Sequence, residues 1–434
     1  MNDALTLRAG AAFFEDVSLA HIAQRCGTPT YVYSRAHLTS QYATLDSALS
    51  PLRHRICYAV KANSNLAVLK VFASLGSGFD IVSGGELERV IRAGGDPQKV
   101  IFSGVGKSGS EIDFALKLDI GSFNVESAAE LERLEIHAQR MSRRARISVR
   151  VNPDIDAGTH PYISTGLKTN KFGVPRDEAL AMYRRASNSQ WLDVVGIDCH
   201  IGSQIATPAP LVAAMESLLD LVDTLTREGI RIEHLDLGGG FGVTYRDEPA
   251  FDIAAYATQL KRLLNGRDLT VSIEPGRFLV ANGGILLTRV EYLKPAHEAD
   301  ARNFAVVDAA MNDLIRPTLY QAWHGVTAVE VPDNGLKARW DLVGPVCESA
   351  DFLAHDRELT LAEGTLLAIR SAGAYGFVQS SNYNSRNRAA EVLVDGAAFS
   401  IVRRRETIAD QLSAEMFTSE KADERVAAPL QYKA

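Results

Sequence analysis

Ile56-Cys57-Tyr58-Ala59-Val60-Lys61 is an apolar run that ends on a lysine, and Asn63-Ser64-Asn65 interrupts the pattern directly after it. The apolar run predicts a buried strand, and the segment that begins at Leu66 predicts a helix. Parallel α/β folds hold their reactive groups at the carboxyl ends of such strands. If apolar groups surround the Lys61 amine, it loses its proton more easily and can attack a carbonyl. Otherwise the ammonium group simply reaches water, and the other strand ends must decide between the two interpretations.

Seven further strand-like runs follow, each separated from the next by enough chain for a helix. The eight predicted strands cover residues 56–61, 78–82, 100–103, 122–125, 147–151, 194–199, 234–237 and 270–274. Eight βα units in about 250 residues predict a (β/α)8 barrel of the TIM type. A doubly wound open sheet is the alternative. Ser83 and Ser127 each precede a glutamate by three residues, which predicts a capping box at the start of two helices.

After Gly276 the pattern changes to short β-rich runs punctuated by glycine and proline. These runs cover residues 285–292, 304–308, 340–343, 365–369 and 391–394. They predict a second, mostly antiparallel β domain, and another short strand is predicted at residues 30–33. The predicted division is an N-terminal segment at 1–27, the barrel at 28–280 and a C-terminal β domain at 281–434.

The composition limits the classes of function that the chain can serve. A net charge of -7 and the lack of a long basic stripe argue against nucleic-acid binding. No apolar run is long enough to cross a membrane, and the first residues lack a basic region followed by an apolar core, so a cytoplasmic protein is expected. The four cysteines are scattered without ligand spacing, and neither a metal site nor a disulfide framework is predicted.

Polar residues at the carboxyl ends of the predicted strands would meet at one rim of a barrel. They are Lys61, Asp80, Ser83, Arg150, Asn152, His200, Gly202, Ser203, Gln204, the glycine-rich run 238–242, Glu274, Gly276 and Arg277. The glycine-rich run exposes successive N–H groups that suit a phosphate, although a tight turn is an equal explanation. His200 is either a hydrogen-bonded core histidine or a flat ring that stacks on a cofactor. Glu274 either pairs with Arg277 or faces a pyridinium nitrogen.

The amine, the glycine-rich run, the histidine and the glutamate of this set suit one cofactor, pyridoxal 5'-phosphate. Lys61 would form the Schiff base, and the glycine run, with Ser203 beside it, would hold the phosphate. His200 would stack on the ring, and Glu274 would keep the ring nitrogen protonated. A protonated ring is the better electron sink for a carbanion at the substrate α-carbon.

Four motifs resemble those of the fold-type III pyridoxal-phosphate-dependent decarboxylases. They are Tyr58-Ala59-Val60-Lys61-Ala62-Asn63, His200-Ile201-Gly202-Ser203-Gln204, Gly238-Gly239-Gly240-Phe241-Gly242 and Glu274-Pro275-Gly276-Arg277. Three more are similar to those of the members that convert meso-2,6-diaminopimelate to L-lysine and CO2, the last step of lysine biosynthesis. They are Arg316-Pro317-Thr318-Leu319-Tyr320, Gly344-Pro345-Val346-Cys347-Glu348-Ser349-Ala350-Asp351 and Gly373-Ala374-Tyr375-Gly376. The resemblance covers nearly the whole chain in the family's order.

The resemblance implies an alanine-racemase-like barrel, a C-terminal β domain that the N-terminal segment joins, and a homodimer with shared active sites. It implies two catalytic residues, Lys61 as the cofactor lysine and Cys347 as a proton donor from the opposite subunit. The implied cofactor-binding residues are Lys61, His200, Ser203, Gly239, Gly240, Glu274, Gly276, Arg277 and Tyr375. The implied substrate-binding residues are Arg277, Arg316, Tyr320, Glu348 and Tyr375. Asp80 and Arg150 are expected to contact these residues without touching the cofactor or the substrate themselves.

Other functions stay open at this point. The same barrel serves amino-acid racemases, pyridoxal-phosphate carriers that are not enzymes, and decarboxylases that act on another or a carrier-bound amino acid. The carriers lack a second domain, so the residues after Gly276 argue against that alternative. The Cys347-Glu348 pair has no use in a racemase, which favours decarboxylation.

Overall fold

Strands and helices alternate through the first two thirds of the computed structural model, which describes residues 4–155, 171–298 and 302–416. The strands are β1 (Leu5–Arg8), β2 (Ala11–Phe14), β3 (Val17–Ser18), β4 (Thr30–Ser34), β5 (His54–Ala59), β6 (Gly78–Ile81), β7 (Val100–Phe102), β8 (Ser122–Val125), β9 (Ala145–Arg150), β10 (Leu192–Asp198), β11 (His234–Asp236), β12 (Thr270–Ile273), β13 (Gly284–Lys294), β14 (Asn303–Val307), β15 (Val326–Ala328), β16 (Leu336–Val343), β17 (Phe352–Leu361), β18 (Leu366–Ile369), β19 (Ala390–Asp395) and β20 (Ala398–Arg403). The α-helices are α1 (Leu19–Cys26), α2 (Arg35–Leu49), α3 (Leu66–Ser74), α4 (Gly84–Arg92), α5 (Gly109–Lys117), α6 (Ala128–Arg140), α7 (Arg176–Ser187), α8 (Ala209–Arg227), α9 (Ile253–Leu264), α10 (Arg277–Val280), α11 (Arg316–Tyr320) and α12 (Ile408–Leu412). In the described ranges, no helix is both long and apolar enough to cross a bilayer.

The eight strands β5 to β12 form a closed parallel barrel. Closure is made by β12 against β5, where Val271 lies opposite His54. An open doubly wound sheet leaves two edges, so this pairing confirms the predicted barrel and excludes the alternative. Strands β6, β7 and β8 are buried at every residue because side chains fill the barrel and helices cover its outside.

Both helices begin where predicted, but each predicted capping box forms only one of its two hydrogen bonds. The Ser83 hydroxyl accepts a hydrogen bond from the Glu86 N–H at 3.2 Å. The Glu86 carboxylate, however, accepts from the N–H of Val82 instead of that of Ser83. The start of α6 at Ser127 has the same arrangement, whereas a complete box forms at Ser108, where the sequence pattern was not singled out.

A second sheet of nine strands has the order β17-β16-β14-β13-β4-β19-β20, with β18 also paired to β13 and β15 paired to β18. It is mostly antiparallel, which confirms the kind of domain that the sequence predicted. Its interior strand β4 comes from the N-terminal part of the chain and lies between β13 and β19. The structure therefore places Thr30–Ser34 in this sheet, whereas the predicted boundary at residue 28 assigned it to the barrel. Its five residues are all buried, because Tyr31 and Tyr33 pack into the main hydrophobic core and Val32 packs into the second core cluster.

The second domain reaches the mouth of the barrel near Lys61. The N–H of Tyr375 donates to the carbonyl of Ala62 at 2.8 Å. The Asn63 amide donates in return to the carbonyl of Gly373 at 3.1 Å. These two hydrogen bonds fix the loop that carries Tyr375 against the turn that carries Lys61.

Candidate functional site

Lys61 lies just beyond the end of β5, in a single 3-10 turn over Val60–Ala62. Its Nζ donates to Asp80 Oδ2 at 2.5 Å, and Asp80 is fully buried. Burial opposes the charged amine, but the carboxylates of Asp80 and Glu274 outweigh it and raise the pKa of Lys61. The apolar surroundings that would ease deprotonation of Lys61 are therefore not found, because acidic side chains of the neighbouring strands face the amine.

Three buried carboxylates, Asp198, Asp236 and Glu274, meet inside the barrel below Lys61, and oxygens of all three lie within 4.8 Å of one another. Burial raises the pKa of Glu274 well above its ordinary value, and the neighbouring Asp236 raises it further. Burial also raises the pKa of Asp236 to about 7, assisted by the charge of Asp80. Carboxyl groups this close share protons, so Glu274 can present a proton to a ring nitrogen. The expectation that the chain has no metal site stays a prediction.

His200 presents a neutral ring at the end of β10. The N–H of Gly239 donates to His200 Nδ1 at 3.2 Å, so the ring proton belongs on Nε2. Burial lowers the pKa of His200 well below its ordinary value, and the charge of Arg150 lowers it further. A neutral, oriented imidazole at this place suits stacking on a flat cofactor ring.

The glycine-rich run after β11 fits between the ends of two neighbouring strands. A Cβ on Gly239 would lie 2.1 Å from the Glu274 carbonyl oxygen, and a Cβ on Gly240 would lie 2.2 Å from the Gly202 carbonyl oxygen. Gly240 also has a φ of +92°, which side-chain-bearing residues rarely adopt. The run therefore needs glycine to bring its backbone close to Ser203, which suits a phosphate cradle.

Two adjoining cavities hold most of the predicted site residues. The smaller, of about 30 Å³, has Lys61, His200, Ser203, Gly240, Glu274, Gly276, Arg277 and Tyr375 in its wall. The larger, of about 360 Å³, has Arg277, Arg316, Tyr320 and Tyr375 in its wall. The cavities share His200, Ser203, Arg277 and Tyr375 in their walls, so they lie next to each other. An amine, a proton-bearing carboxyl group, a flat ring and a glycine cradle around one chamber fit pyridoxal phosphate.

Arg277 and Arg316 are nearly fully buried, with 7 % and 6 % of their surface exposed. Arg277 donates to the Tyr245 hydroxyl at 2.7 Å and to Ser203 Oγ at 3.0 Å. It makes no ion pair with Glu274, so the alternative of a structural pair between them was wrong. Neither guanidinium has a carboxylate of the described residues within 4.0 Å, which leaves two buried positive charges for a ligand.

Cys347 and Glu348 lie apart from both cavities. They are exposed on the loop between β16 and β17. The Cys347 N–H donates to Asn384 Oδ1 at 3.0 Å, and the Tyr383 hydroxyl donates to the Glu348 carboxylate. Within one chain, the structure does not bring these two predicted residues together with Lys61.

The sequence reading missed two residues that contact the arginine pair, Tyr245 in the wall of the larger cavity and the buried His324 outside that wall. Tyr245 contacts both arginines, and His324 binds Arg316 from behind. Tyr245 comes five residues after Gly240, in a segment without regular pattern, and His324 stands alone in a loop. Neither has a neighbour in the sequence that marks it, so only the fold brings them to the arginines.

A family profile described as pyridoxal-dependent decarboxylase, pyridoxal binding domain, matches residues 35–281, which include every strand of the barrel. The chain is 59% identical over 413 residues to the diaminopimelate decarboxylase of Pseudomonas aeruginosa. That match covers 95% of this chain and 99% of the relative.

Solved structures give the same result. The diaminopimelate decarboxylase of Helicobacter pylori, complexed with L-lysine, superposes with a TM-score of 0.87 at 42% identity, over 91% of this chain and 98% of that chain. The enzyme of M. jannaschii, also with L-lysine, superposes with a TM-score of 0.90 at 34% identity, over 96% of this chain and 98% of that chain.

Proposed function

The chain belongs to the pyridoxal-dependent decarboxylases, and among them to the diaminopimelate decarboxylases, and on this premise we propose how its own residues carry out the reaction. It is a pyridoxal-phosphate-dependent enzyme that removes CO2 from meso-2,6-diaminopimelate and yields L-lysine, the last step of lysine biosynthesis. Membership of the decarboxylases sets aside the racemase and carrier alternatives.

Bound pyridoxal phosphate supplies an electron sink for the pair that remains on the α-carbon when CO2 leaves. Lys61 would hold the cofactor, Ser203 with the glycine cradle of Gly239 and Gly240 its phosphate, and His200 one face of its ring. Glu274 would hold the proton at the ring nitrogen, because its own raised pKa keeps a proton in that part of the barrel.

One observation carries the choice of substrate, namely the buried and unpaired charges of Arg277 and Arg316. Burying a charge without a partner is costly, so this pair favours an anionic ligand. A planar carboxylate accepts two hydrogen bonds from a guanidinium. Diaminopimelate carries a second carboxylate at its distal end, whereas lysine, ornithine and arginine end in a cation. Tyr320 lies in the same wall and adds a hydroxyl.

Incubation with added pyridoxal phosphate should release CO2 rapidly from meso-diaminopimelate and only in traces from lysine, ornithine or arginine. Sites built on polar contacts reject a ligand that leaves them unpaired by roughly 10⁴-fold. Release of labelled CO2 from the four amino acids at equal concentration measures this ratio.

Arg316→Ala provides the matched variant for this assay. It should lower kcat/KM for diaminopimelate while the visible absorbance of the bound cofactor stays unchanged, because Arg316 is absent from the wall of the smaller cavity. Comparable turnover of ornithine, or a fully active Arg316→Ala enzyme, would contradict the proposed substrate.

We infer that the working unit is a homodimer in which Cys347 and Glu348 complete the partner's site. Both residues are exposed and lie outside the cavities of their own chain, which leaves them free to face a second copy. Cys347 would then donate the proton that replaces CO2 on the α-carbon, and Glu348 would bind the distal ammonium group of the substrate.

Gly240→Ala should weaken binding of pyridoxal phosphate by about 10-fold or more. An alanine there takes a left-handed conformation at a cost of about 1–2 kcal/mol. Its Cβ would also lie 2.2 Å from the Gly202 carbonyl oxygen, which forces the cradle to move. Titration of the apoprotein with the cofactor, followed by protein fluorescence, measures the change in Kd.

Gly229→Ala separates these two effects. Gly229 has a φ of +79°, but a Cβ there meets no atom within 4 Å. It shares the backbone strain of Gly240→Ala without the collision, so its Kd for the cofactor should match that of the wild type. Equal Kd values in the two variants would contradict the proposal that the glycine cradle binds the phosphate of the cofactor.

A cytoplasmic location belongs to the same proposal. All four cysteines are unpaired, the usual state of thiols in a reducing compartment. Fractionation of the source cells should recover the enzyme with cytosolic markers and not with periplasmic ones.

A further inference from the structure

Arg277 and Arg316 are placed side by side by neutral groups. Neither has a carboxylate within ion-pair distance anywhere in residues 4–155, 171–298 and 302–416, and the charge of Arg277 lowers the pKa of Arg316, after the larger effect of burial. Two like charges repel and have lost most of their hydration at this depth. Their position before a substrate binds must therefore be fixed by groups that are not anions.

Tyr245 contacts both arginines with one side chain. Its hydroxyl accepts from Arg277 Nη1 at 2.7 Å, and its ring lies 4.8 Å from the guanidinium carbon of Arg316. Burial alone would raise the pKa of Tyr245, but the two positive charges outweigh burial and lower it. The two cations thus favour negative charge on the Tyr245 oxygen, which accepts from Arg277, and the face of the ring attracts the second cation.

His324 is the second residue that contacts Arg316, and it is fully buried. Its Nδ1 lies 2.8 Å from the carbonyl oxygen of Arg370, which can only accept, so the ring proton belongs on Nδ1. Nε2 is then a bare acceptor, 3.0 Å from Arg316 Nη1. Burial lowers the pKa of His324 to about 3, and the charges of Arg316, Arg277 and Arg357 keep it neutral. Its ring also meets the Tyr245 ring edge to face at 5.4 Å.

We propose that Tyr245 and His324 are positioning residues that set the preference for a substrate with a second carboxylate, because they hold Arg277 and Arg316 together as one carboxylate-binding pair. The inference rests on the proposed function and adds the residues that give the pair its geometry. His324 acts only through Arg316, whereas Tyr245 acts through both arginines from the wall of the larger cavity.

The test compares two ligands that differ in the distal carboxylate. Diaminopimelate has it and is measured by KM, whereas L-lysine lacks it and is measured by its inhibition constant, Ki. In Tyr245→Phe the ring remains but the acceptor for Arg277 is lost. Losing a hydrogen bond to a charged group should raise KM about 10- to 100-fold. We expect kcat, the Ki of lysine and the Kd of pyridoxal phosphate to stay within about threefold of the wild type.

Tyr256→Phe is the matched control for the loss of a buried hydroxyl. The Tyr256 hydroxyl has no hydrogen-bond partner in the described residues, and its ring packs on Phe241 and Phe251. This variant should keep the wild-type ratio of KM to Ki. A general loss of structure would change the constants of both ligands together and leave that ratio constant.

His324→Leu and His324→Gln separate the acceptor from the packing. Both lose the bond to the Arg370 carbonyl, but only glutamine retains an acceptor for Arg316. The ratio of the KM of diaminopimelate to the Ki of lysine should rise about 10-fold in His324→Leu and much less in His324→Gln. The proposal is overturned if Tyr245→Phe and His324→Leu both keep the wild-type ratio, or if glutamine does not restore it. Wild-type enzyme that leaves diaminopimelate unchanged would instead disprove the proposed function, before any variant is compared.

Discussion

Lys61→Ala should lose decarboxylation by roughly 10⁴-fold or more, the scale expected when an essential nucleophile is removed. The same variant should lose the visible absorbance of bound pyridoxal phosphate. Among the residues that the structure describes, Lys61 has the only amine in the wall of the smaller cavity, and its partner Asp80 cannot replace it. Borohydride reduction of the wild type, followed by peptide mapping, should find the pyridoxyl group on Lys61.

Lys99→Ala is the control for this experiment. Lys99 precedes β7 at the opposite end of the barrel, where its amine donates to the carbonyl of Gly76 at 3.2 Å. Its loss should leave both the absorbance and the rate unchanged. A pyridoxyl group on any lysine other than Lys61 would remove the basis for every role assigned around it.

Mixing inactive Lys61→Ala and Cys347→Ala proteins should restore activity, up to about a quarter of the wild-type rate. If each site takes Lys61 from one chain and Cys347 from the other, a mixed dimer has one complete site and one that lacks both residues. Random re-pairing makes half of the dimers mixed, and each of these has half of its sites intact. The rate after mild dissociation and reassociation measures the recovery.

The opposite arrangement gives a different result. If Cys347 served the site of its own chain, every site in the mixture would lack one of the two residues, and no activity would return. Subunit exchange, shown independently with a tagged chain, makes that outcome decisive. Glu348→Ala in place of Cys347→Ala should behave alike if the two neighbours act together.

The barrel could be predicted because strands buried on both faces read as short, continuous apolar runs. The rim residues followed from the rule that active sites lie at the carboxyl ends of those strands. Asp80 and Glu274 were expected at the same rim as Lys61, but the sequence does not show that their carboxylates face the amine and raise its pKa. Tyr245 and His324 were missed because only the fold brings them to the two arginines. Strand β17 was missed because charged residues fill the middle of its sequence, His355 to Glu358.

The roles of Cys347 and Glu348 could not be predicted from the residues alone. In a single chain they form an exposed loop, and only the resemblance of their motif gave them a role. Their exposure outside the walls of both cavities supports the proposal that they act in the site of a partner chain. The comparison with known enzymes establishes the reaction, whereas the assignment of these residues depends on the mixing experiment.

The sheet around β4 can be completed only late in synthesis. The strand that flanks it on one side, β19, is translated about 350 residues later. At about 5–20 residues per second, a ribosome needs roughly 20–70 s to cover that distance. Throughout this interval the apolar segment Thr30–Ser34 has left the ribosome without its final neighbour, and its backbone edge can pair with other nascent chains. A message cut short between Lys294 and Ala390 therefore yields a product that carries the complete barrel sequence and a β4 edge without its partner β19.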